Sequence, residues 1–427
     1  MEDDIVLNPV NPHYLDRVVR VSETQGVEAS EDIYSASGIK LVAKGARIGA
    51  DMHDRLIVHK LKKPLESCIR VQNGTDSQRL HDDARALFEE NSKLKALFDH
   101  SSVLSVVQEI PLRPATLGLL DVAAAQDRHG LKHYLLVMLI SLAIARRMKC
   151  GAEIMRTVAM ASLLHDIGEL YIERRYLEDE DSELAESDWR KIAAHPVIGQ
   201  KLACDVCGMP QAVGIAILEH HERASGGGYP RGLTAGQLSL PGQIISIAEM
   251  IAALSEHYDR PLERMALVVK LVPGEYGPEL IAALSAGLEL DMLGEETPVP
   301  VELTSMMLST LFERIESVRH LINACQRTSG QDAGETRAML DRVKRRFTHI
   351  QQALMSTGVG MYCSADGDCS VGLNQAPASL LYEVDAIQNE IRWQMRALSR
   401  DLQVRAALVS PAAALAFSEL VEALDVQ

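Results

Sequence analysis

Between residues 133 and 249, metal-binding side chains recur in five separate blocks of an otherwise apolar, helix-forming segment. In chain order the blocks are His133, His165-Asp166, His195, His220-His221 and Glu249. A binuclear site for phosphoester hydrolysis needs several imidazoles, a carboxylate that bridges two ions, and an open coordination position. The adjacent pair His165-Asp166 supplies a ligand and a bridge from one helix. The series therefore predicts a chain folded around a metal site, with ligands from the ends and buried faces of several helices.

Each block taken alone has a simpler explanation. A histidine on an apolar helix face, such as His133, is more often a hydrogen-bonded core residue than a ligand. His195 precedes a proline and could cap a helix, and His220-His221 could interact with a helix dipole. To explain all the blocks in these simpler ways would require six independent coincidences in a fixed order, so we favour the ligand interpretation. Imidazoles with carboxylates favour iron or manganese, with zinc as a further option, over magnesium or calcium.

Composition limits the classes of partner. The 427 residues suffice for two or three domains, and the net charge of −16 argues against DNA or RNA, whose phosphates need a basic surface. The negative net charge does not exclude a small anionic ligand, because bound metal ions reverse the sign of the local electrostatic field. The longest apolar run, 135–145, is too short to span a bilayer, and Met-Glu-Asp-Asp does not begin a signal peptide. With seven scattered cysteines, we expect a cytoplasmic protein without membrane insertion.

Secondary-structure signals divide the chain into three segments. Residues 1–78 read as a small mixed α/β module, with strand signals at 38–45 and 67–71 around a helix at 51–61. Residues 79–290 read as helical, and residues 300–427 as a helical C-terminal extension. The predicted helices after residue 130 are 133–147, 152–167, 188–194, 196–208, two opened by Pro210 and Pro241, 302–327, 335–355 and 376–408. The last three are amphipathic, which suits a bundle, a homodimer interface or a surface for a signalling partner.

Over about residues 125–265, the ordered motifs resemble the HD-GYP family, a branch of the HD superfamily of phosphohydrolases. The matching motifs are His165-Asp166-Ile-Gly168, His195-Pro196, and the stretch from His220-His221-Glu222-Arg223 to Gly228-Tyr229-Pro230. The resemblance implies a mainly α fold with an HD-type helical bundle at its core. It also implies a cyclic di-GMP phosphodiesterase that forms pGpG or GMP by attack of a hydroxide bridging two divalent metal ions.

The resemblance assigns expected roles residue by residue. The implied metal ligands are His133, His165, Asp166, His195, His220, His221 and Glu249, with His129, one helical turn before His133, as a further candidate. The implied catalytic residues are Asp166, Glu169 and Arg223. The implied substrate-binding residues are Gly228, Tyr229, Pro230 and Arg260.

Three positions depart from the family pattern. Glu169 stands where the family has a lysine expected to contact phosphate, and like charges at about 4 Å repel by about 4 kcal/mol at an effective dielectric of about 20. Ser225 replaces an aspartate, and Glu249 carries one methylene more than the family's last metal carboxylate. These changes favour a second hypothesis, a weak or inactive relative that acts as a nucleotide sensor or signalling scaffold. A third is a hydrolase of another nucleotide.

Two cysteine pairs have suggestive spacing. Cys204-Asp-Val-Cys207 has CxxC spacing without a second pair, so core packing is favoured over a zinc or redox role. Cys363 and Cys369 flank a turn-forming stretch and could meet across a hairpin.

Overall fold

Short strands precede a long series of helices. The computed structural model describes residues 10–94, 97, 103–125, 130–178, 186–257, 261–271, 274–285, 300–328, 334–364, 368–374 and 376–425. Within these residues the strands all lie before residue 72 and helices dominate the remainder. The predicted mainly α fold with a small α+β module at the N-terminus is therefore confirmed.

The N-terminal module combines two helices with two small antiparallel sheets. Its helices are α1 (Pro12–Thr24) and α2 (Ala50–Ile57), and its strands are β1 (Val27–Ala29), β2 (Ile33–Tyr34), β3 (Lys40–Val42) and β4 (Ile69–Val71). β1 pairs with β4 and β2 pairs with β3. The Asn11 side chain caps α1 by accepting a hydrogen bond from the Tyr14 amide, and α1 buries Tyr14, Leu15 and Val18. The strand signals at 38–45 and 67–71 correspond to β3 and β4, and the helix predicted over 51–61 is α2, which ends at Ile57.

The helices that follow build the core around the predicted site. They are α3 (Ser77–Glu90), α4 (Val103–Gln108), α5 (Pro114–Ala124), α6 (Leu131–Arg147), α7 (Ala152–Leu163), α8 (Arg175–Glu178), α9 (Glu186–Ile192), α10 (His195–Lys201), α11 (Gln211–Glu219), α12 (Leu240–His257) and α14 (Pro278–Ser285). Helix α6 is buried on nearly every face and packs against α7 and α12, which explains its apolar sequence. None of the described helices combines the length and apolarity needed to cross a membrane.

Two predicted helices end earlier or change type. The helix predicted to reach residue 167 ends at Leu163, so His165 and Asp166 lie in the turn before the 3-10 helix Ile167–Tyr171. The helix predicted over 196–208 is α10, which continues as the π-helix Leu202–Val206. The early end of α7 places His165 near a helix terminus, where the carbonyl oxygen of Ser162 is free to orient its ring.

The chain divides into two compact units, residues 1–259 with 277–288 and residues 260–276 with 289–427. The second contains α13 (Pro261–Leu271), α15 (Val301–Thr328), α16 (Gly334–Ser356), α17 (Ser370–Leu373), α18 (Ala378–Val409), α19 (Pro411–Ala416) and α20 (Ser418–Leu424). Three of these helices match the predictions for 302–327, 335–355 and 376–408. Cys363 and Cys369 are joined by a disulfide, so these residues do meet. The division at residues 78 and 290, and dimerisation or partner binding through the last helices, stay predictions.

Candidate metal centre

Seven of the predicted ligands converge on one buried centre. Their candidate ligand atoms form two groups, and within each group all of these atoms lie within 4.8 Å of one another. The groups are Asp166, His195, His220 and His221, and His133, His165, Asp166 and Glu249. Asp166 belongs to both. A carboxylate shared between two ligand sets is the arrangement that bridging two cations requires.

Helix ends deliver most of these side chains. The turn after α7 carries His165 and Asp166, α10 begins with His195, and α11 ends next to His220-His221. His133 and Glu249 project from the buried faces of α6 and α12. The 3-10 helix can approach the start of α10 because residue 168 is glycine, since a Cβ there would overlap the carbonyl oxygen of His195. The absent side chain of Gly168 thus brings two ligand-bearing segments together.

Three histidines are oriented in the same way. The Nδ1 atoms of His165, His195 and His220 each contact the carbonyl oxygen of the residue three positions earlier. These carbonyls belong to Ser162, Ile192 and Ile217, at 2.8, 2.8 and 2.6 Å. A proton held on Nδ1 for these bonds leaves the Nε2 lone pair of each ring directed into the centre.

The converging atoms fit a cation better than they fit one another. Oδ1 of Asp166 lies 3.3 Å from Nε2 of both His195 and His220, and those two nitrogens lie 3.1 Å apart. Oε2 of Glu249 lies 3.1 Å from Nε2 of His165 and 3.3 Å from Nε2 of His133. Among the described residues, Oδ1 of Asp166 and Oε2 of Glu249 are buried without a hydrogen-bond donor. Lone pairs facing each other in this way are stabilised by a divalent ion.

The electrostatics reflect the same crowding. Burial favours the neutral form of Asp166, but His165 and the neighbouring imidazoles hold the pKa of this carboxyl well below its usual range. Burial opposes the charge on His165, yet Asp166 and Glu249 raise the pKa of this imidazole to about 10. Burial followed by His220 and His195 holds the pKa of His221 well below its usual range. Without metal, protons supply the positive charge that the carboxylates demand.

Glu169 lies on the 3-10 helix beside this centre. Burial and then the Asp166 carboxylate raise the pKa of Glu169 to about 7. Burial lowers the pKa of Arg17, and the nearby Glu169 carboxyl opposes that shift. Arg17 also donates through Nη2 to the carbonyl oxygens of Glu169 (3.1 Å) and Ile172 (3.0 Å). In the centre without metal, burial and the Asp166 carboxylate therefore favour the neutral form of Glu169.

The loop after His221 is held against the centre. The Tyr229 ring stacks on His221, with centroids 4.6 Å apart, and meets Trp189 edge-on at 5.5 Å. A Cβ on Gly228 would overlap the backbone of His221 and Glu222, so the loop packs closely only with glycine there. The Tyr229-Pro230 peptide is cis.

Glu222 organises the far side of this loop, a role that the sequence did not reveal. Its buried carboxylate accepts hydrogen bonds from the amides of three consecutive residues. These are Arg231 (2.7 Å), Gly232 (3.1 Å) and Leu233 (2.9 Å). The only signal was an acidic residue directly after two ligand histidines, which does not indicate where the carboxylate points.

The remaining predicted residues have varied settings. Arg223 donates to the carbonyls of His220 (3.4 Å) and Glu222 (3.0 Å) and to the Ser246 hydroxyl, which ties the end of α11 to α12. Its predicted catalytic role stays a prediction. Ser225 is exposed and accepts from the Gly227 amide at 3.2 Å. His129 and Arg260 lie outside the described residues, so their predicted ligand and substrate roles remain expectations.

A family model described as an HD domain matches residues 119–267, the segment that carries all seven of the converging candidate ligands. These residues form an HD domain. Its ordered motifs are similar to those of the HD-GYP branch of HD domains.

The curated relatives are bacterial phosphodiesterases. A cyclic di-GMP phosphodiesterase of Pseudomonas aeruginosa is 28% identical over 138 residues, covering 32% of this chain and 33% of that protein. A 3'3'-cGAMP-specific phosphodiesterase of Vibrio cholerae is 32% identical over 145 residues, covering 33% of this chain and 31% of its own length. The chain thus spans about a third of the length of the curated relatives it matches.

A solved HDG"Y"P protein from Bdellovibrio bacteriovorus is 16% identical, with a TM-score of 0.33. That comparison covers 60% of this chain and 94% of the other.

Proposed function

We propose that this protein is a metal-dependent phosphodiesterase that hydrolyses a cyclic dinucleotide, with cyclic di-GMP as the leading substrate and pGpG or GMP as product. The observation that carries the proposal is the sharing of Asp166 between two four-residue ligand groups. The names of the relatives from Pseudomonas aeruginosa and Vibrio cholerae support the substrate class. We further propose that two ions bind, iron or manganese before zinc, because the ligands combine imidazoles with carboxylates.

Divalent ions at such a site supply Lewis acidity and lower the pKa of water. The residues of the chain hold the geometry for this chemistry. Backbone carbonyls hold the Nδ1 protons of His165, His195 and His220, so that three Nε2 atoms stay available as ligands. Asp166 offers one oxygen to each side of the centre, since Oδ1 faces His195 while Oδ2 lies 3.1 Å from His165.

Aromatic side chains beside the centre suit a nucleobase. Trp189 is half-buried and meets Tyr229 edge-on, and Tyr229 itself stacks on the ligand His221. Stacking on aromatic rings contributes about 1–3 kcal/mol per base in nucleic-acid binding. We propose that Trp189 and Tyr229 help to bind a guanine or adenine base while the phosphodiester faces the metal ligands.

The test combines metal analysis with turnover. Protein purified under reducing conditions should contain about two ions per chain and should cleave cyclic di-GMP to a linear product, detected by chromatography. Asp166→Ala is the matched control and should lose both metal and turnover. Folded, monodisperse protein that stays metal-free after incubation with Fe²⁺ or Mn²⁺ would rule out the proposal. Faster cleavage of 3'3'-cGAMP than of cyclic di-GMP would reassign the substrate within the same class.

A second candidate function is nucleotide sensing without efficient turnover. The observation that favours it is Glu169, an acid next to Asp166 where the family has a lysine. The two functions separate in one experiment with the wild type and Glu169→Lys. Tight calorimetric binding of cyclic di-GMP without cleavage by either protein supports the sensor. Cleavage that appears or rises in the lysine variant identifies Glu169 as the residue that limits catalysis.

A further inference from the structure

His133 differs from the other candidate histidine ligands in the kind of acceptor that its Nδ1 atom contacts. In His165, His195 and His220 this atom contacts a backbone carbonyl of the same helix end. In His133 it lies 3.1 Å from Oε1 of Glu256, a residue 123 positions later in the chain. The contact joins α6 to the last turn of α12, the same helix that carries Glu249.

We infer that Glu256 is a positioning residue for the metal centre, which fixes the ring orientation of His133 and strengthens that histidine as a ligand. The inference rests on the proposed metal centre. A ligating imidazole whose second nitrogen donates to a carboxylate has its tautomer fixed and its donor nitrogen made more basic. A carboxylate does this more strongly than a neutral carbonyl because the hydrogen bond is charge-assisted.

The geometry supports this role on both sides of the His133 ring. Nε2 of His133 faces Oε2 of Glu249 at 3.3 Å, while Nδ1 faces Glu256, so the two carboxylates of α12 hold the imidazole between them. His133 is 4% exposed at its side chain, whereas Glu256 is 41% exposed. Glu256 therefore lies at the solvent edge of the site, and within the described residues its contact with the centre is through His133.

The effect should be confined to one side of the centre. His133 belongs to the ligand group of His165, Asp166 and Glu249, and the other group contains neither His133 nor a residue that contacts Glu256 in the described structure. Removing the Glu256 carboxylate should thus weaken the binding of one ion. The ion held by His195, His220 and His221 should stay bound.

The experiment is a titration of the metal-free protein with Mn²⁺, followed by metal analysis and electron paramagnetic resonance. We expect Glu256→Ala to lower the affinity for one of two ions by about 10- to 100-fold. The exchange-coupled signal of an ion pair should give way to the signal of isolated ions at limiting Mn²⁺. Glu256→Gln, which keeps an acceptor oxygen but not the charge, should fall between the wild type and Glu256→Ala. Glu153→Ala, at an exposed position in the first turn of α7, is the control and should bind as the wild type does.

A double-mutant cycle tests whether Glu256 acts through His133. If it does, adding Glu256→Ala to His133→Ala should change Mn²⁺ affinity no further. Two results would overturn the inference. One is that Glu256→Ala lowers the Mn²⁺ affinity equally with and without His133, and the other is that its affinities stay within about twofold of the wild type. No substrate is present in these measurements, so a failure to cleave cyclic di-GMP would count against the proposed function and not against this role. A wild type that binds no Mn²⁺ would remove the basis of both.

Discussion

The carbonyl oxygen of His195 occupies the place where a side chain on Gly168 would have to begin. This relationship brings the 3-10 helix after the His165-Asp166 turn against the start of α10. Because Asp166 and His195 face each other at 3.3 Å across this contact, the candidate metal centre depends on a missing Cβ atom two residues from the carboxylate that both ligand groups share.

We therefore expect Gly168→Ala to separate the two segments. Overpacking at a site without room destabilises proteins by about 1–3 kcal/mol, and denaturant unfolding should show a loss in that range. Metal affinity should fall as well, because Asp166 and His195 can no longer approach. Gly236→Ala is the matched control, since a Cβ there meets nothing within 4 Å. Equal stabilities of the two variants would contradict the packing argument.

Asp166 and His220 should differ in how many ions they hold. Since Asp166 belongs to both ligand groups and His220 to one, Asp166→Ala should lose both ions, while His220→Ala should retain one. Metal analysis of the purified variants measures this directly. Retention of one tightly bound ion by Asp166→Ala would mean that the carboxylate does not bridge.

Glu222 should stabilise the loop that carries Tyr229. Glu222→Ala removes the acceptor of three amide hydrogen bonds, and hydrogen bonds to charged groups contribute about 1.5–3 kcal/mol each in favourable cases. We expect lower thermal stability and faster trypsin cleavage after Arg231. Glu173→Ala, at an exposed ion pair with Arg175, provides the comparison and should cleave at the wild-type rate. An unchanged cleavage rate in Glu222→Ala would show that the loop is held by other contacts.

Arg17 should couple the N-terminal module to the segment that follows the His165-Asp166 turn. It donates to two carbonyls of the segment that follows the HD motif, and Tyr14 stacks on Tyr171 in the same segment with centroids 5.5 Å apart. Arg17→Ala should therefore accelerate hydrogen exchange at the amides of residues 167–172. The exposed Arg20, on the same helix, supplies a control variant that should leave this exchange unchanged. Unaltered exchange in Arg17→Ala would indicate that the two elements are independent.

Glu66 should make stability depend on pH. Burial raises the pKa of this carboxyl above its ordinary value of 4.5, and the Tyr171 hydroxyl, which donates to it, opposes the shift only in part. The folded state thus holds the proton more tightly than the unfolded state. The resulting stability is complete below about pH 4.5 and is lost as pH rises through the folded-state pKa.

Glu66→Gln should remove this loss while keeping an acceptor for Tyr171. Denaturant unfolding should be measured at several pH values. As pH rises above about 4.5, the free energy of unfolding of the variant should increase relative to that of the wild type. Glu89→Gln, at an exposed position of α3, should run parallel to the wild type. A constant difference between Glu66→Gln and the wild type across this range would contradict the assignment.

Local sequence patterns predicted the helical class, the N-terminal strands, the long C-terminal helices and the set of candidate ligands. These are local properties, because hydrophobic periodicity, prolines at helix starts and the spacing of ligand-type residues can all be recognised within short stretches of sequence. The motifs also indicated an HD domain, since His165-Asp166 and the residues from His220 to Pro230 occur in a fixed order, and the family model matches this segment.

Which of these side chains meet depends on packing between distant segments and could not be predicted from local patterns. Asp166 is shared between two groups because the turn after α7 packs against α10 and α12, a contact between segments far apart in sequence. Glu222 and Glu256 look alike along the chain, since each is an acidic residue at or just after the end of a helix. One binds three amides of its own loop and the other contacts His133 across 123 positions, and the direction of a carboxylate is set by packing, which no local pattern encodes.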